Sequence, residues 1–342
     1  MPKKILIVGP AWVGDMVMAQ SLAISLTQQY PGCVIDILAP GWSLPIIERM
    51  PEVRRGIELP IGHGELGLGK LWRLGRSLRC ESYDQAIVLP RKFKAALVPF
   101  FAGIPQRTGY RGELRYWLIN DARPLDKSVL SRTVWRFVAL GQPAAVTAPP
   151  DTPEPLLSVD AANRDAVLGS LGLTTTRPAI GFMPGAEYGP AKQWPAQYYA
   201  ELAASLVAEG RQVWVFGSAK EQALGEEIRQ AAIAIHPDAD GHVVNVCGRT
   251  ALADVVDLMA TCECVVSNDS GLMHVAAATG TSIVAIYGSS TPDYTPPLTA
   301  DAKVLYLRLE CSPCFERICP LGHSNCLKDI RPDAVLAQVL GD

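Results

Sequence analysis

Short apolar runs alternate along the chain with longer stretches whose apolar positions recur at the helical period. Residues 4–9, Lys-Ile-Leu-Ile-Val-Gly, form an apolar run of strand length. Residues 12–30 follow with helical period and residues 34–39 make a second short apolar run, so the chain opens with a βαβ unit. The alternation predicts a helix over 65–80, a strand over 85–89, a helix over 94–101 and a short strand over 106–109. Strands separated by helices return in the same direction, which implies a parallel sheet.

Residues 141–155 break the pattern, reading Gly-Gln-Pro-Ala-Ala-Val-Thr-Ala-Pro-Pro-Asp-Thr-Pro-Glu-Pro. Repeated proline removes backbone donors and fixes φ, which leaves a stiff extended connector. A second series follows, with strands over 179–183, 212–216, 243–246, 264–267 and 282–287 and helices over 196–209, 220–232, 252–260 and 271–278. The expected architecture is α/β: two Rossmann-like, doubly wound domains, residues 1–155 and 156–330, facing each other across a cleft. A C-terminal helix is expected within 331–342. Ligands of such sheets bind beyond the carboxyl ends of the strands.

The length agrees with two domains, since 342 residues exceed what one core usually holds. Apolar residues make up 49% and charged residues 19%, which excludes a disordered or collagen-like chain. The apolar run after Met1-Pro-Lys-Lys is too short for a signal peptide or a spanning helix, so a cytoplasmic location is expected. The formal net charge of −3 hides an asymmetry: 19 Lys and Arg stand against 13 Asp and Glu up to residue 155, and 12 against 21 beyond it. A basic half attracts an anion, whether nucleic acid, a membrane surface or an acidic substrate. The net negative charge and the lack of basic stretches interleaved with aromatics argue against nucleic acid.

Four segments hold candidate chemistry. Gly9-Pro-Ala-Trp-Val-Gly14-Asp15 leaves the first strand and enters a helix, without the G-x-G-x-x-G spacing of a dinucleotide fingerprint. At Asp15 the residues alone leave two roles open: a first-turn carboxylate favoured by the helix dipole, or a general base. Ser267-Asn-Asp-Ser-Gly-Leu-Met-His274 follows a strand and opens a helix, so its backbone N–H groups form an anion site. His274, one turn past Ser270, is either a packed core residue or a contact to a diphosphate or sugar. Met183-Pro-Gly-Ala-Glu-Tyr-Gly-Pro-Ala-Lys192 is a loop entering a helix near Pro195, where Lys192 is either solvated or placed to neutralise a pyrophosphate. The loop Phe216-Gly-Ser-Ala-Lys-Glu221 could hold a nucleoside, with Glu221 facing ribose hydroxyls.

Taken together these segments resemble the ADP-heptose:lipopolysaccharide heptosyltransferases, glycosyltransferases of the B-fold. The likeness also runs through Leu89-Pro-Arg-Lys-Phe-Lys, Arg107-Thr-Gly-Tyr-Arg-Gly-Glu and Tyr287-Gly-Ser-Ser-Thr-Pro-Asp-Tyr. Within that family it is strongest to members that extend the first core heptose; members with a different acceptor are the alternative. The resemblance implies inverting transfer from ADP-heptose to a lipid-linked inner-core acceptor, made at the cytoplasmic face of the inner membrane and without a required cofactor. It implies Asp15 as base and Lys192 as the group offsetting charge on the leaving diphosphate. Donor contacts are then expected at Gly185, Ala186, Lys192, Gly217, Ser218, Glu221, Asp269, Ser270, Gly271 and His274. Acceptor contacts are expected at Trp12, Gly14, Arg91, Lys92, Lys94, Arg107 and Arg111, with Arg115 completing a basic rim. Residues 95–104 carry no charge and are expected to pack as a buried helix rather than to graze lipid. The family's C-terminal helix is expected to pack back on the first domain.

Cys311, Cys314, Cys319 and Cys326, with His323 among them, crowd the end of the chain. The spacing lacks the second C-x2-C of a zinc ribbon, so reduced thiols, a local disulfide and a structural zinc all remain open. A nicotinamide oxidoreductase is the competing enzyme class, and it would use Asp36, 22 residues past Gly14, as its ribose-binding acid.

Overall fold

A computed structural model describes residues 2–62, 64–144 and 146–341. It contains two all-parallel six-stranded sheets. The first is built from β1 (Lys4–Val8), β2 (Val34–Ala39), β3 (Val53–Glu58), β4 (Gln85–Val88), β5 (Gln106–Tyr110) and β6 (Asp121–Arg123), in the order β3-β2-β1-β4-β5-β6. The second is built from β7 (Ala179–Met183), β8 (Gln212–Val215), β9 (Val243–Asn245), β10 (Cys264–Asn268), β11 (Ser282–Tyr287) and β12 (Ala302–Tyr306), in the order β12-β11-β10-β7-β8-β9. Both orders reverse direction at one point, between β1 and β4 and between β10 and β7. Open α/β sheets bind ligands beyond the strand ends at such reversal points.

The central strands are mostly apolar because helices cover both faces of a parallel sheet. Ile5, Leu6, Ile7, Ile180, Phe182, Val265 and Val266 have no exposed surface. In the first unit the helix Val13–Gln29 packs against Thr133–Gly141 at a glycine, since a Cβ on Gly141 would stand 2.6 Å from the Leu22 side chain. No helix among the described residues is long and apolar enough to cross a membrane.

The chain divides into two compact units between Leu157 and Ser158. The proline-rich connector is pinned to the first unit by Gln20, whose amide donates to the Leu156 carbonyl (2.6 Å) and accepts from its N–H (3.1 Å). Three residues past the division Asp160 belongs to the second unit, where its N–H donates to Asp257 (2.7 Å). The same Asp160 caps the helix Ala161–Leu171 by accepting from the N–H groups of Ala162 and Asn163.

The C-terminal helix is Pro332–Leu340. It is part of the second unit, with Val335 and Val339 buried in that unit's core. The turn before it is held there by Trp194, whose indole N–H donates to the Ile330 carbonyl (2.8 Å).

Candidate active site

In the second unit the loops that leave β7 and β10 flank the reversal of strand order, and the sequence locks them together with one buried asparagine. Asn268, at the end of β10, donates to the Pro184 carbonyl (2.7 Å) and accepts from the Trp194 N–H (3.0 Å) and the Tyr199 hydroxyl (3.2 Å). Every polar atom of that side chain thus has a partner, as a buried amide requires. The lock fixes both ends of the 184–194 loop and thereby aims Lys192 at Asp269. Their ion pair measures 2.5 Å, with Asp269 buried and Lys192 largely so.

Asp269 also accepts from Ser290 (2.5 Å), which stands in the loop leaving β11. Three loops at the carboxyl edge of one sheet therefore meet at a single carboxylate. The helix Gly271–Ala278 starts immediately after it, with Ser270 as the extended N-cap residue whose side chain makes no capping bond. The first-turn N–H groups of that helix and the Lys192 ammonium supply positive charge at one place, which suits a phosphate. His274 lies one turn into this helix and is 4% exposed. Burial pushes its imidazole down to about 4, Asp269 opposing and Lys192 adding to the shift, so the ring is neutral near pH 7. Its Nδ1 is buried with no hydrogen-bond partner among the described residues.

Around the next strand end, Glu221 accepts from the N–H (2.6 Å) and hydroxyl (2.9 Å) of Ser218 in a capping box. Its other oxygen lies over Gly185, where a Cβ would stand only 1.5 Å away. Gly185 is the residue type that this approach demands, and Gly217 is similarly close-packed against Cys247 and Glu221.

In the first unit the matching loops leave β1 and β4. Asp15 is half-buried in the first turn of the helix Val13–Gln29, whose N-cap residue Trp12 makes no side-chain cap and is 62% exposed. Gly14 beside it is buried. The indole of Trp42 donates to the Ala11 carbonyl (3.0 Å), bracing the loop in front of Asp15. After β4 come Arg91 and Lys92, both exposed, and the less exposed Lys94, which donates to the Glu65 carbonyl. Arg91 and Arg111 line an open depression of about 810 Å³ together with residues 124–128, including Lys127.

Residues 71–325 match the model of glycosyltransferase family 9 (heptosyltransferase). The chain belongs to this family. It is 48% identical to lipopolysaccharide heptosyltransferase 2 of Salmonella typhimurium, across 98% of this chain and 97% of the relative. It is also 48% identical to the lipooligosaccharide heptosyltransferase 2 of Haemophilus influenzae, across 89% and 88% of the two chains. The solved structure of ADP-heptose lps heptosyltransferase II from E. coli superposes with a TM-score of 0.86 at 44% identity, covering 99% of this chain and 98% of that one. The fold is the two-sheet B-fold of these glycosyltransferases.

Within this heptosyltransferase chain several expected roles change. Arg107, expected in the basic rim, is half-buried, and its guanidinium donates to the carbonyls of Leu118 (2.7 Å), Ile104 (2.5 Å) and Trp117 (3.5 Å). Arg115 is 2% exposed and donates to the carbonyls of Pro90 (2.7 Å) and Tyr110 (2.7 Å), which fixes the segment between them. Glu221 has one oxygen engaged by Ser218, leaving at most the other for a ribose. Asp36 is buried beneath Arg54, Arg55 and Tyr83. Burial raises its carboxyl, but those partners outweigh it and hold it below the usual range, so it is a structural anion and not the ribose acid of an oxidoreductase.

Ser290 and Lys127 were not singled out from the sequence. Ser290 could have been found, because Gly288-Ser-Ser-Thr291 is a polar run that ends an apolar strand at the same edge as the other site loops. Lys127 gave no signal, lying in a loop without periodicity. The C-terminal cysteines are all thiols, none in a disulfide. With His323 they line a cavity of about 20 Å³, room for one water or ion. Among the described residues no three His, Cys, Asp or Glu side chains are grouped so as to hold a metal ion. This segment braces the loops that leave β7 and β11: the Phe315 N–H donates to the Ser289 carbonyl (2.7 Å) and the Ala191 N–H to the Arg317 carbonyl (3.0 Å).

Proposed function

We propose that this enzyme transfers L-glycero-D-manno-heptose from ADP-heptose to the first heptose of the lipopolysaccharide inner core, with inversion. The observation that carries the donor assignment is the Lys192–Asp269–Ser290 cluster at the start of the helix Gly271–Ala278. A diphosphate replaces one interaction of Lys192 and accepts from the helix N–H groups. The nucleoside lies towards Gly185, Gly217 and Ser218, in the loops that leave β7 and β8.

Asp15 removes the proton from an acceptor hydroxyl as that oxygen bonds to the anomeric carbon. The bond from that carbon to the ADP oxygen breaks, and its electron pair leaves on the diphosphate. Lys192 and the helix N–H groups are fixed before the reaction, so they stabilise this developing charge without reorganising and without a metal. Asp269 positions Lys192, and neutral His274 supplies its free ring nitrogen as a polar contact to the donor.

The acceptor bears carboxylates and phosphates, and the depression lined by Arg91, Arg111 and Lys127 supports its placement in the first unit. Its volume falls within the roughly 300–1,000 Å³ usual for ligand sites. Because the acceptor is lipid-linked, the enzyme works at the cytoplasmic face of the inner membrane as a peripheral protein. Incubation with ADP-heptose and acceptors carrying zero or one heptose tests the reading by product mass. Addition of one heptose to the mono-heptosylated acceptor alone is expected, and addition only to the heptose-free acceptor would reassign the substrate.

A further inference from the structure

The first unit exposes large apolar side chains that nothing in its own fold covers, and three of them stand on the segment that follows Arg111, a lining residue of the acceptor depression. Leu114 is 81%, Tyr116 62% and Trp117 80% exposed. These residues do not sit on a slack loop. Arg115, between them, points inward to the carbonyls of Pro90 and Tyr110, and the Glu113 carboxylate accepts from the Phe93 N–H. With both polar neighbours tied down, the apolar ones are held outward. The depression adjoins this loop: Arg111 lines it, and Gly112 packs so tightly on Arg91 that a Cβ would stand 2.9 Å from the Arg91 carbonyl oxygen.

The apolar surface continues through a chain of contacts. Arg107 donates to the Trp117 carbonyl and stacks its guanidinium 5.6 Å from the Phe100 ring, itself 42% exposed. The helix Leu68–Ser77 lies against the next residue, since Gly75 abuts Phe101. On its outer stripe stand Leu68 and Trp72, 49% and 48% exposed, with Arg76 over the Trp72 ring at 5.2 Å and Arg73 exposed alongside. Tryptophan, tyrosine and leucine ringed by arginine describe a surface that enters the headgroup layer of a bilayer and is attracted to its negative charge.

We propose that the face formed by Leu114, Trp117, Phe100, Trp72 and the surrounding arginines docks on an anionic lipid bilayer, presenting the adjoining depression to the headgroup of an embedded acceptor. The proposal rests on the lipid-linked acceptor assigned above, yet it is tested separately from it. Co-sedimentation with vesicles of phosphatidylcholine, alone or mixed with phosphatidylglycerol, reads docking; turnover on a delipidated, water-soluble core oligosaccharide reads the reaction. The intact protein is expected to sediment with the anionic mixture, less so as salt rises. The double variant Leu114→Ser/Trp117→Ser should lose roughly tenfold in that partition, and Arg73→Glu/Arg76→Glu a similar factor. Both should keep unchanged turnover on the soluble acceptor, which also shows that they fold. Ile235→Ser, in the second unit, should change neither. Vesicle binding that survives both double variants overturns the proposal, as does equal loss in Ile235→Ser. Failure of the intact protein to bind, with self-association that Trp117→Ser abolishes, would make this face a contact between copies instead. Absence of turnover on any acceptor would overturn the assigned reaction while leaving the docking result standing.

Discussion

The two sheets share one strand order, β3-β2-β1-β4-β5-β6 against β12-β11-β10-β7-β8-β9, but the loops at their reversal points are built differently. In the second unit these loops are bolted to each other: Asn268 binds Pro184, Trp194 and Tyr199, and Asp269 binds Lys192 and Ser290. In the first unit the corresponding residues Trp12, Arg91 and Arg111 are exposed, and the two arginines line an open depression. The difference matches the two ligands proposed. A small, highly charged donor rewards donors fixed in advance, while a large branched acceptor needs area and long-range attraction. Buried networks in one unit should therefore respond to mutation with loss of chemistry, and the open surface of the other with loss of encounter.

The largest departure is expected at Asp15, the exception in the first unit because the proposed mechanism gives it the reacting proton. Asp15→Asn should lower kcat by about 10²–10⁴-fold while ADP affinity, read by calorimetry, stays unchanged. Lys192→Ala should lower kcat by roughly 10²–10³-fold, the usual cost of one charge-stabilising donor, and should weaken ADP binding as well. That contrast in ADP binding between the two variants is what distinguishes the units.

The next effect is on stability and its pH dependence. The folded His274 value, about 4, lies below the unfolded value of about 6.5. The unfolded chain therefore binds the extra proton first as pH falls, and stability declines between about 6.5 and 4, by roughly 3 kcal/mol in total. Above 6.5 this residue contributes no such loss. Denaturant titrations of His274→Gln should show a shallower fall across that window than the unsubstituted protein.

The smallest effect belongs to the open rim. Arg91→Ala and Arg111→Ala should each raise the acceptor KM by about tenfold at low salt, with the difference shrinking as ionic strength rises and kcat nearly constant. A large kcat loss in either variant would place these arginines in the chemistry and erase the contrast between the units.

The interior strands were legible in the sequence because a parallel strand covered on both faces is an unbroken apolar run; 179–183 and 282–287 match β7 and β11 residue for residue. The three strands that escaped, β3, β6 and β12, all lie at sheet edges. β3 reads Val-Arg-Arg-Gly-Ile-Glu and carries charge because an edge faces water, so it shows neither an apolar run nor alternation. The helix Ala161–Leu171 was missed for a related reason, since none of its residues is buried and it therefore shows no apolar stripe. At the site, Lys192, Asp269, Ser270 and His274 were legible as loops leaving strands. What the sequence could not show was direction: Arg107 and Arg115 look like their neighbours Arg91 and Arg111 in one dimension, yet the first two turn inward to carbonyl oxygens and the second two line the depression.

The most direct test follows the anomeric centre by proton NMR during reaction of ADP-heptose with a soluble acceptor bearing one core heptose. A new glycosidic linkage of opposite anomeric configuration to the donor, formed in step with ADP release, is the predicted result. A retained configuration, or ADP-heptose consumed without any new linkage, would contradict displacement by an acceptor oxygen that Asp15 has deprotonated.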